Sequence, residues 1–366
     1  MTALRVGVVG LGEVAQVVHL PILENLPDLY ELTAVCDISP TLLKVVGDRY
    51  SVEHRYDDFA QMVAEAPLDA VLVLNSDEYH SECVVTALDK GLHVLVEKPM
   101  CLSPAEAERI IAARDRSGCQ VMVGYMRRYA PAFEVAKQRL SEVGPVRYAR
   151  VHDIIGRNRL MIDPTARVVR PDDVPRSAME ERWARGSALV REALGDVPDV
   201  LGGTYRLLCG LGSHDLSAMR ELLGRPTGVA AARQWRDGGY IVALLEYGDF
   251  LVTYETGVDE QLRFDAHIEV YGESSSLRVQ YDTPYIRHLP TTVVLDRTEG
   301  DSYDRTVLRP DLKDPYTHEL EYFHAHVTSG EPVKTGPEDF VEDMELFVDI
   351  IRAIQHTSNT QGGSPC

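Results

Sequence analysis

The sequence predicts an α/β chain in two parts: a doubly wound parallel sheet over residues 1–125, then an α+β domain with an open, mostly antiparallel sheet over 126–357. Three observations carry this. At 366 residues the chain is longer than one core holds, since single cores stop growing near ~250–300 residues. In the first third, short apolar runs alternate with amphipathic stretches, the rhythm of parallel strands joined by crossover helices. From about Val146 the period falls to two, with turn residues between the runs, as in antiparallel strands.

In the first part the expected strands are Arg5–Val9, Glu31–Cys36, Ala70–Leu74, His93–Val96 and Gln120–Val123. Ser39-Pro40 and Ser103-Pro104 each set an N-cap serine before a first-turn proline, and Glu106 completes a capping box with Ser103. Gly91 and Gly118 stand where helices should end. In the second part the runs Val146–His152, Val229–Trp235, Tyr240–Tyr247, Phe250–Gly257, Phe264–Tyr271, Ser276–Tyr281 and Thr291–Leu295 read as strands. Gly238-Gly239 and Gly248-Asp249 read as hairpin turns. Helices are expected at Pro131–Ser141, Asp215–Leu223, Asp314–Thr328 and Pro337–Gln355. The stretch 156–203 fits neither rhythm, apart from an amphipathic piece around Met179–Leu194, and reads as an insertion or lid. The polar tail 358–366, ending in Cys366, has nothing to bury and is expected to be disordered.

Composition narrows the function. Hydrophobic residues at 45% and charged residues at 26% describe a folded chain. A formal charge of -20 repels a phosphate backbone, so nucleic acid is not an expected partner. No run approaches the ~18–20 apolar residues of a membrane span, and Val6–Leu11 lacks a signal peptide's basic region, so the chain reads as cytoplasmic. Six cysteines without a CxxC pair suit reduced thiols, and no metal site is expected.

The strongest local signal is Gly10-Leu11-Gly12-Glu13-Val14-Ala15 directly after the first strand, a GxGxxA fingerprint. Gly10 permits the tight turn, Gly12 admits a pyrophosphate, Ala15 lets helix and strand pack closely, and the helix amides that follow face the phosphates. The second strand ends in Asp37, twenty-two residues past Ala15, where a carboxylate accepts from the adenosine ribose hydroxyls and repels a 2′-phosphate. The first part is thus read as a Rossmann domain for NAD. Glu97-Lys98-Pro99 closes another strand at the same carboxyl edge, aiming Lys98 at cofactor and substrate.

These pieces, with His19-Leu20-Pro21, the His80–Gly91 helix, Val123-Gly124-Tyr125-Met126-Arg127-Arg128-Tyr129-Ala130-Pro131 and Gly212-Ser213-His214-Asp215, make the sequence resemble the glucose-fructose oxidoreductase and inositol dehydrogenase family. The resemblance spans nearly the whole chain outside 156–203. It implies oxidation of a secondary alcohol on a polyhydroxylated small molecule, a sugar or cyclitol, with hydride passing to the nicotinamide. It puts the family's lysine on Lys98 and its catalytic histidine on His214. Cofactor contacts are expected from Gly10, Gly12, Glu13, Val14, Ala15, Asp37, Ser76, His80, Glu97 and Lys98. Substrate contacts are expected from Lys98, Arg128, Asp153, His214 and Tyr285. A homodimer or homotetramer is expected.

One departure stands out. Many family members carry an aspartate four residues before the histidine, where this chain has Gly210. Either another acid, such as Asp215 or Asp153, replaces it, or the chemistry differs. Two further readings follow: a redox-neutral enzyme that keeps NAD bound while it epimerises or eliminates through a transient keto-sugar, and a non-catalytic dinucleotide-binding regulator. His318, His324 and His326 lack an HExxH pattern and are expected to be structural or solvated.

Overall fold

The computed structural model describes residues 3–361, and side chains as far as Thr357. It divides into two compact units. The first holds a six-stranded, all-parallel sheet in which β1 (Leu4–Val9), β2 (Tyr30–Cys36), β3 (His54–Tyr56), β4 (Ala70–Val73), β5 (His93–Glu97) and β6 (Val121–Gly124) lie in the order β3-β2-β1-β4-β5-β6. Val6, Val8, Val71, Leu72, Leu95 and Val96 are fully buried, as residues of a strand covered on both faces must be. Chain order turns round between β1 and β4, which makes their carboxyl ends the topological switch point where such sheets bind ligands. The sequence reading missed β3 because three exposed or half-exposed residues, His54-Arg55-Tyr56, leave no apolar run.

The first unit is discontinuous: Ala166–Gly195 and Glu319–Glu342 cluster with residues 1–125, although both were expected in the second domain. Hydrogen bonds that no local pattern displays hold them there. The Gln16 amide donates to Val169 O at 2.9 Å and accepts from Val169 N at 2.8 Å. Tyr30 Oη donates to Leu320 O, and Val123 N donates to Thr335 O. The stretch 156–203 resolves into helices Asn158–Thr165, Arg176–Leu194 and Asp199–Leu207, of which only the middle one belongs to this unit.

The second unit is built on an eight-stranded sheet of β7 (Tyr148–Gly156), β8 (Gly228–Trp235), β9 (Tyr240–Glu246), β10 (Leu251–Asp259), β11 (Phe264–Tyr271), β12 (Ser275–Tyr281), β13 (Thr292–Glu299) and β14 (Ser302–Leu308). The order is β14-β13-β12-β11-β7-β10-β9-β8; only β7 and β10 run parallel. Alternate residues such as Ala149, Val151, Ala243, Leu245, Ala266 and Ile268 are fully buried. Helices Pro131–Arg139 and Ser213–Leu223 pack on this sheet. β14 went unread because its residues are polar and almost all exposed. The last helix, Pro337–Gln361, runs past Gln355 into the stretch expected to be a disordered tail; the rest of that tail, with Cys366, lies outside the described residues. Among the described residues no helix is long and apolar enough to cross a membrane.

Candidate functional site

At the carboxyl edge of the first unit's sheet, Gly10 turns with φ of 87°, and a Cβ there would lie 2.4 Å from Asn75 N. Only glycine meets both demands. A Cβ on Gly12 would meet nothing within 4 Å, so the backbone borders open space of the kind a pyrophosphate needs. Ala15 is fully buried and opens the helical turn Ala15–His19, with Val14 just before it. Asp37, at the tip of β2, accepts from Leu11 N at 2.7 Å and from Ser39 N at 2.9 Å. Burial raises its pKa above the ordinary carboxylate value, while those two amides oppose the rise. The turn and its acid are therefore one hydrogen-bonded unit, and the residues fit a dinucleotide. Glu13 is half-exposed, and its carboxylate accepts from Arg170 at 2.6 Å.

At the end of β5, the buried Glu97 accepts from His19 Nε2 across 2.8 Å and from Lys98 N at 3.2 Å. Burial pushes the Glu97 pKa up, but the His19 bond and charge and the Lys98 ammonium outweigh it, leaving the carboxyl below its usual value. Lys98 follows, half-buried. Glu97 thus bonds His19 and fixes the Lys98 backbone. His80 is buried, with Nδ1 2.7 Å from Pro99 O and Nε2 3.0 Å from Asn75 O, and so clamps the Lys98-Pro99 turn to the end of β4. Ser76 Oγ accepts from Arg182 at 3.3 Å. The sequence reading named no role for Gln16 or His19; the signal for His19 was its place in the His19-Leu20-Pro21 match, and Gln16 had none.

In the second unit His214 lies, largely buried, in the first turn of the helix Ser213–Leu223. A π-helical turn, Leu208–Gly212, precedes it, a form of backbone common beside functional groups. A Cβ on Gly212 would come 2.4 Å from the Tyr254 hydroxyl, so glycine is needed for β10 to pack beneath the turn. A Cβ on Gly210 would meet nothing within 4 Å. The aspartate that the resemblance led one to expect at this position is thus absent without crowding to exclude it.

The proposed replacements for that aspartate are committed elsewhere. Arg127 is buried and donates to both Asp215 and Asp153, the latter at 3.2 Å; both carboxylates are fully buried. Desolvation lowers the Arg127 pKa, but the two carboxylates more than reverse it. Asp153, expected on the substrate, is part of this buried cluster. Arg128, also expected there, is buried and donates through Nε to Glu221, which takes Lys137 as well. Both pairings have one cause: a buried charge must be paired. Tyr285, between β12 and β13, accepts from Asn158 Nδ2 at 3.2 Å. Of the three histidines set aside in the sequence, His324 meets the Tyr30 ring edge-on, His326 Nδ1 bonds Tyr322 O, and His318 meets Asp311. Among the described residues no cluster suits a metal ion.

The family model described as an oxidoreductase family with an NAD-binding Rossmann fold matches residues 4–125. A myo-inositol 2-dehydrogenase of Thermotoga maritima is 27% identical over 360 residues, covering 92% of each chain. Residues 4–125 thus match the glucose-fructose oxidoreductase and inositol dehydrogenase family, and the likeness to an inositol dehydrogenase runs over nearly the whole chain. An aldose-aldose oxidoreductase from Caulobacter crescentus shares its fold, with TM-score 0.74, 20% identity and 97% and 98% of the two chains covered. So does a variant of a 3-ketoreductase from Actinomadura kijaniata, determined with TDP-benzene and NADP, with TM-score 0.71, 22% identity and 97% of each chain covered. In this chain Gly10, Gly12, Ala15, Asp37 and Lys98 share one sheet edge of the first unit, and His214 stands in the second.

Proposed function

We propose that the chain is an NAD-dependent dehydrogenase or ketoreductase acting on a ring hydroxyl of a sugar, a sugar derivative or an inositol. The observation that carries this reading is the joining of the Gly10–Gly12 turn, Asp37 and Lys98 along the carboxyl ends of β1, β2 and β5. Bound there, NAD supplies a hydride acceptor. Asp37 holds the adenosine ribose, and the amides after Gly12 face the pyrophosphate. Lys98, its backbone fixed by Glu97 and its turn clamped by His80, hydrogen-bonds the reacting oxygen. His214 takes the hydroxyl proton as the carbon is oxidised and returns it in the reverse direction; an imidazole titrates near neutrality and suits that duty. The open face of the eight-stranded sheet, where Tyr148, Leu251 and Trp235 are exposed, supports assembly into a homodimer or homotetramer.

The test is NADH formation from NAD+ with a panel of sugars, inositols and their phosphates, for wild type and His214→Ala. Turnover should fall by ~10²–10⁴ in the variant, with NADH affinity kept. Equal turnover by both proteins would remove His214 from the chemistry. Gly210 favours a second reading, in which tightly held NAD cycles during an epimerisation or elimination. Substrate conversion without net NADH, on a cofactor that survives purification, would select it. Saturable NADH binding with no conversion of any polyol would leave the regulator.

A further inference from the structure

We propose that Asp173, on the inserted stretch Ala166–Gly195, is a specificity residue that makes the adenosine end of the nucleotide site refuse a 2′-phosphate. It rests on the nucleotide reading above and adds a second acid, 136 positions from the first in sequence, to the choice of NAD(H) over NADP(H).

The helix Pro40–Arg49 begins three residues after Asp37. Its first turn is where a phosphate on the adenosine ribose would look for donors, because helix N-termini offer unpaired amides and a favourable dipole. Here every such donor is engaged. Ser39 N donates to Asp37 at 2.9 Å, and Pro40 has no N–H. Thr41 N donates to Asp173 Oδ2 at 2.9 Å, Leu42 N to Ser39 Oγ at 3.2 Å, and Leu43 N to Ser39 O at 3.0 Å. Ser39 Oγ donates to Asp173 Oδ1 at 2.5 Å, and the Thr41 side chain, the other hydroxyl of the turn, also bonds Asp173. The Asp173 carboxylate therefore occupies the anion position itself, with bidentate contacts like those a phosphate would make.

The carboxylate is held there from both sides. Upstream, the Gln16 side chain grips the Val169 backbone and Arg170 pairs with Glu13. Downstream, Arg182 reaches Ser76, and Arg185 bonds Glu82 at 2.8 Å while lying over the Tyr79 ring. The bond from the Ser39 hydroxyl, then that from Thr41 N, keep the Asp173 pKa below its usual value, so the group is charged at neutral pH. An incoming 2′-phosphate would have to displace one carboxylate and sit beside a second, Asp37. NAD(H) needs neither step, since its ribose hydroxyl donates to Asp37. The fold alone does not impose the choice, because the Actinomadura neighbour was determined with NADP.

Dissociation constants of NADH and NADPH, read by nicotinamide fluorescence, and of adenosine 2′,5′-bisphosphate, read by calorimetry, test this on the full chain. Wild type should prefer NADH. Asp173→Ala should tighten NADPH and the bisphosphate by about tenfold or more while moving NADH by less than about threefold, the loss of one charge-assisted competitor. Asp173→Asn, which keeps the shape and removes the charge, should give a smaller shift in the same direction and guards against misfolding of the alanine variant. If wild type binds NADH and both variants keep its NADH-to-NADPH ratio, the inference fails and the nucleotide reading stands. If wild type binds none of the three, both fall.

Discussion

The two units bury charge in opposite ways. In the first, buried or half-buried acids serve the backbone of a site: Asp37 ties the glycine turn to the end of β2, and Glu97 ties Lys98 to His19. Each is set among donors that favour its charged form. In the second unit, two carboxyl groups, Asp153 and Asp215, share one guanidinium with no exposure to water. Burial first, and then its neighbour Asp153, push the Asp215 pKa well above the usual carboxyl value. The lesson is that a carboxylate near a candidate site is informative only once its donors are counted: the first unit's acids fix the backbone of the glycine turn and of Lys98, and the second unit's share one cation.

The largest test of that contrast is Arg127→Met. It leaves two buried carboxyls without their cation, and breaking a buried pair by removing one partner costs ~3–5 kcal/mol. Chemical denaturation should show a midpoint lowered accordingly. A variant as stable as wild type would mean that the cluster is not the charged lock described here.

A smaller effect, of opposite pH sign to the one that follows, is expected at Glu97. Its folded pKa is below the unfolded value, so the stability it contributes is present above about pH 4.3 and is lost as pH falls through the folded pKa. Glu97→Gln should cost ~1.5–3 kcal/mol at neutral pH, the value of a hydrogen bond to a charged group. The gap to wild type should close in acid. A gap that stays constant with pH would show that only the shape of Glu97 matters.

The same contrast explains what could be read in advance. The glycine turn, Asp37 and Lys98 were legible because their spacing follows from strand and helix lengths within one βαβ rhythm. β1, β2, β4, β5 and β6 were legible from runs of buried valine and leucine, whereas β3 and β14 present polar, exposed residues without a pattern. The place of Ala166–Gly195 was not legible, because Gln16 and Val169 meet across 153 residues and neither is unusual in its own neighbourhood. The partners of Asp153 and Arg128 were not legible for a related reason: sequence shows that a charge exists, but its partner, Arg127 or Glu221, is chosen by the packing of β7 and of the helix Ser213–Leu223.

The finest test uses Asp215→Asn. A neutral amide reproduces the protonated carboxyl that the cluster favours, so the substitution should be nearly silent where wild type already holds that proton. With its folded pKa raised, Asp215 binds more proton folded than unfolded above the ordinary carboxyl value near ~3.9. Wild-type stability therefore has a component that declines as pH rises through that value toward the raised one. The amide has no such slope. Asp215→Asn should match wild type within ~0.5 kcal/mol near pH 4 and become the more stable protein as pH increases, reversing the order of Glu97→Gln. Denaturation midpoints across the acid-to-neutral range decide it. A cost that grows with pH would mean that Asp215 is ionised against Arg127, and the two units would then handle buried charge alike.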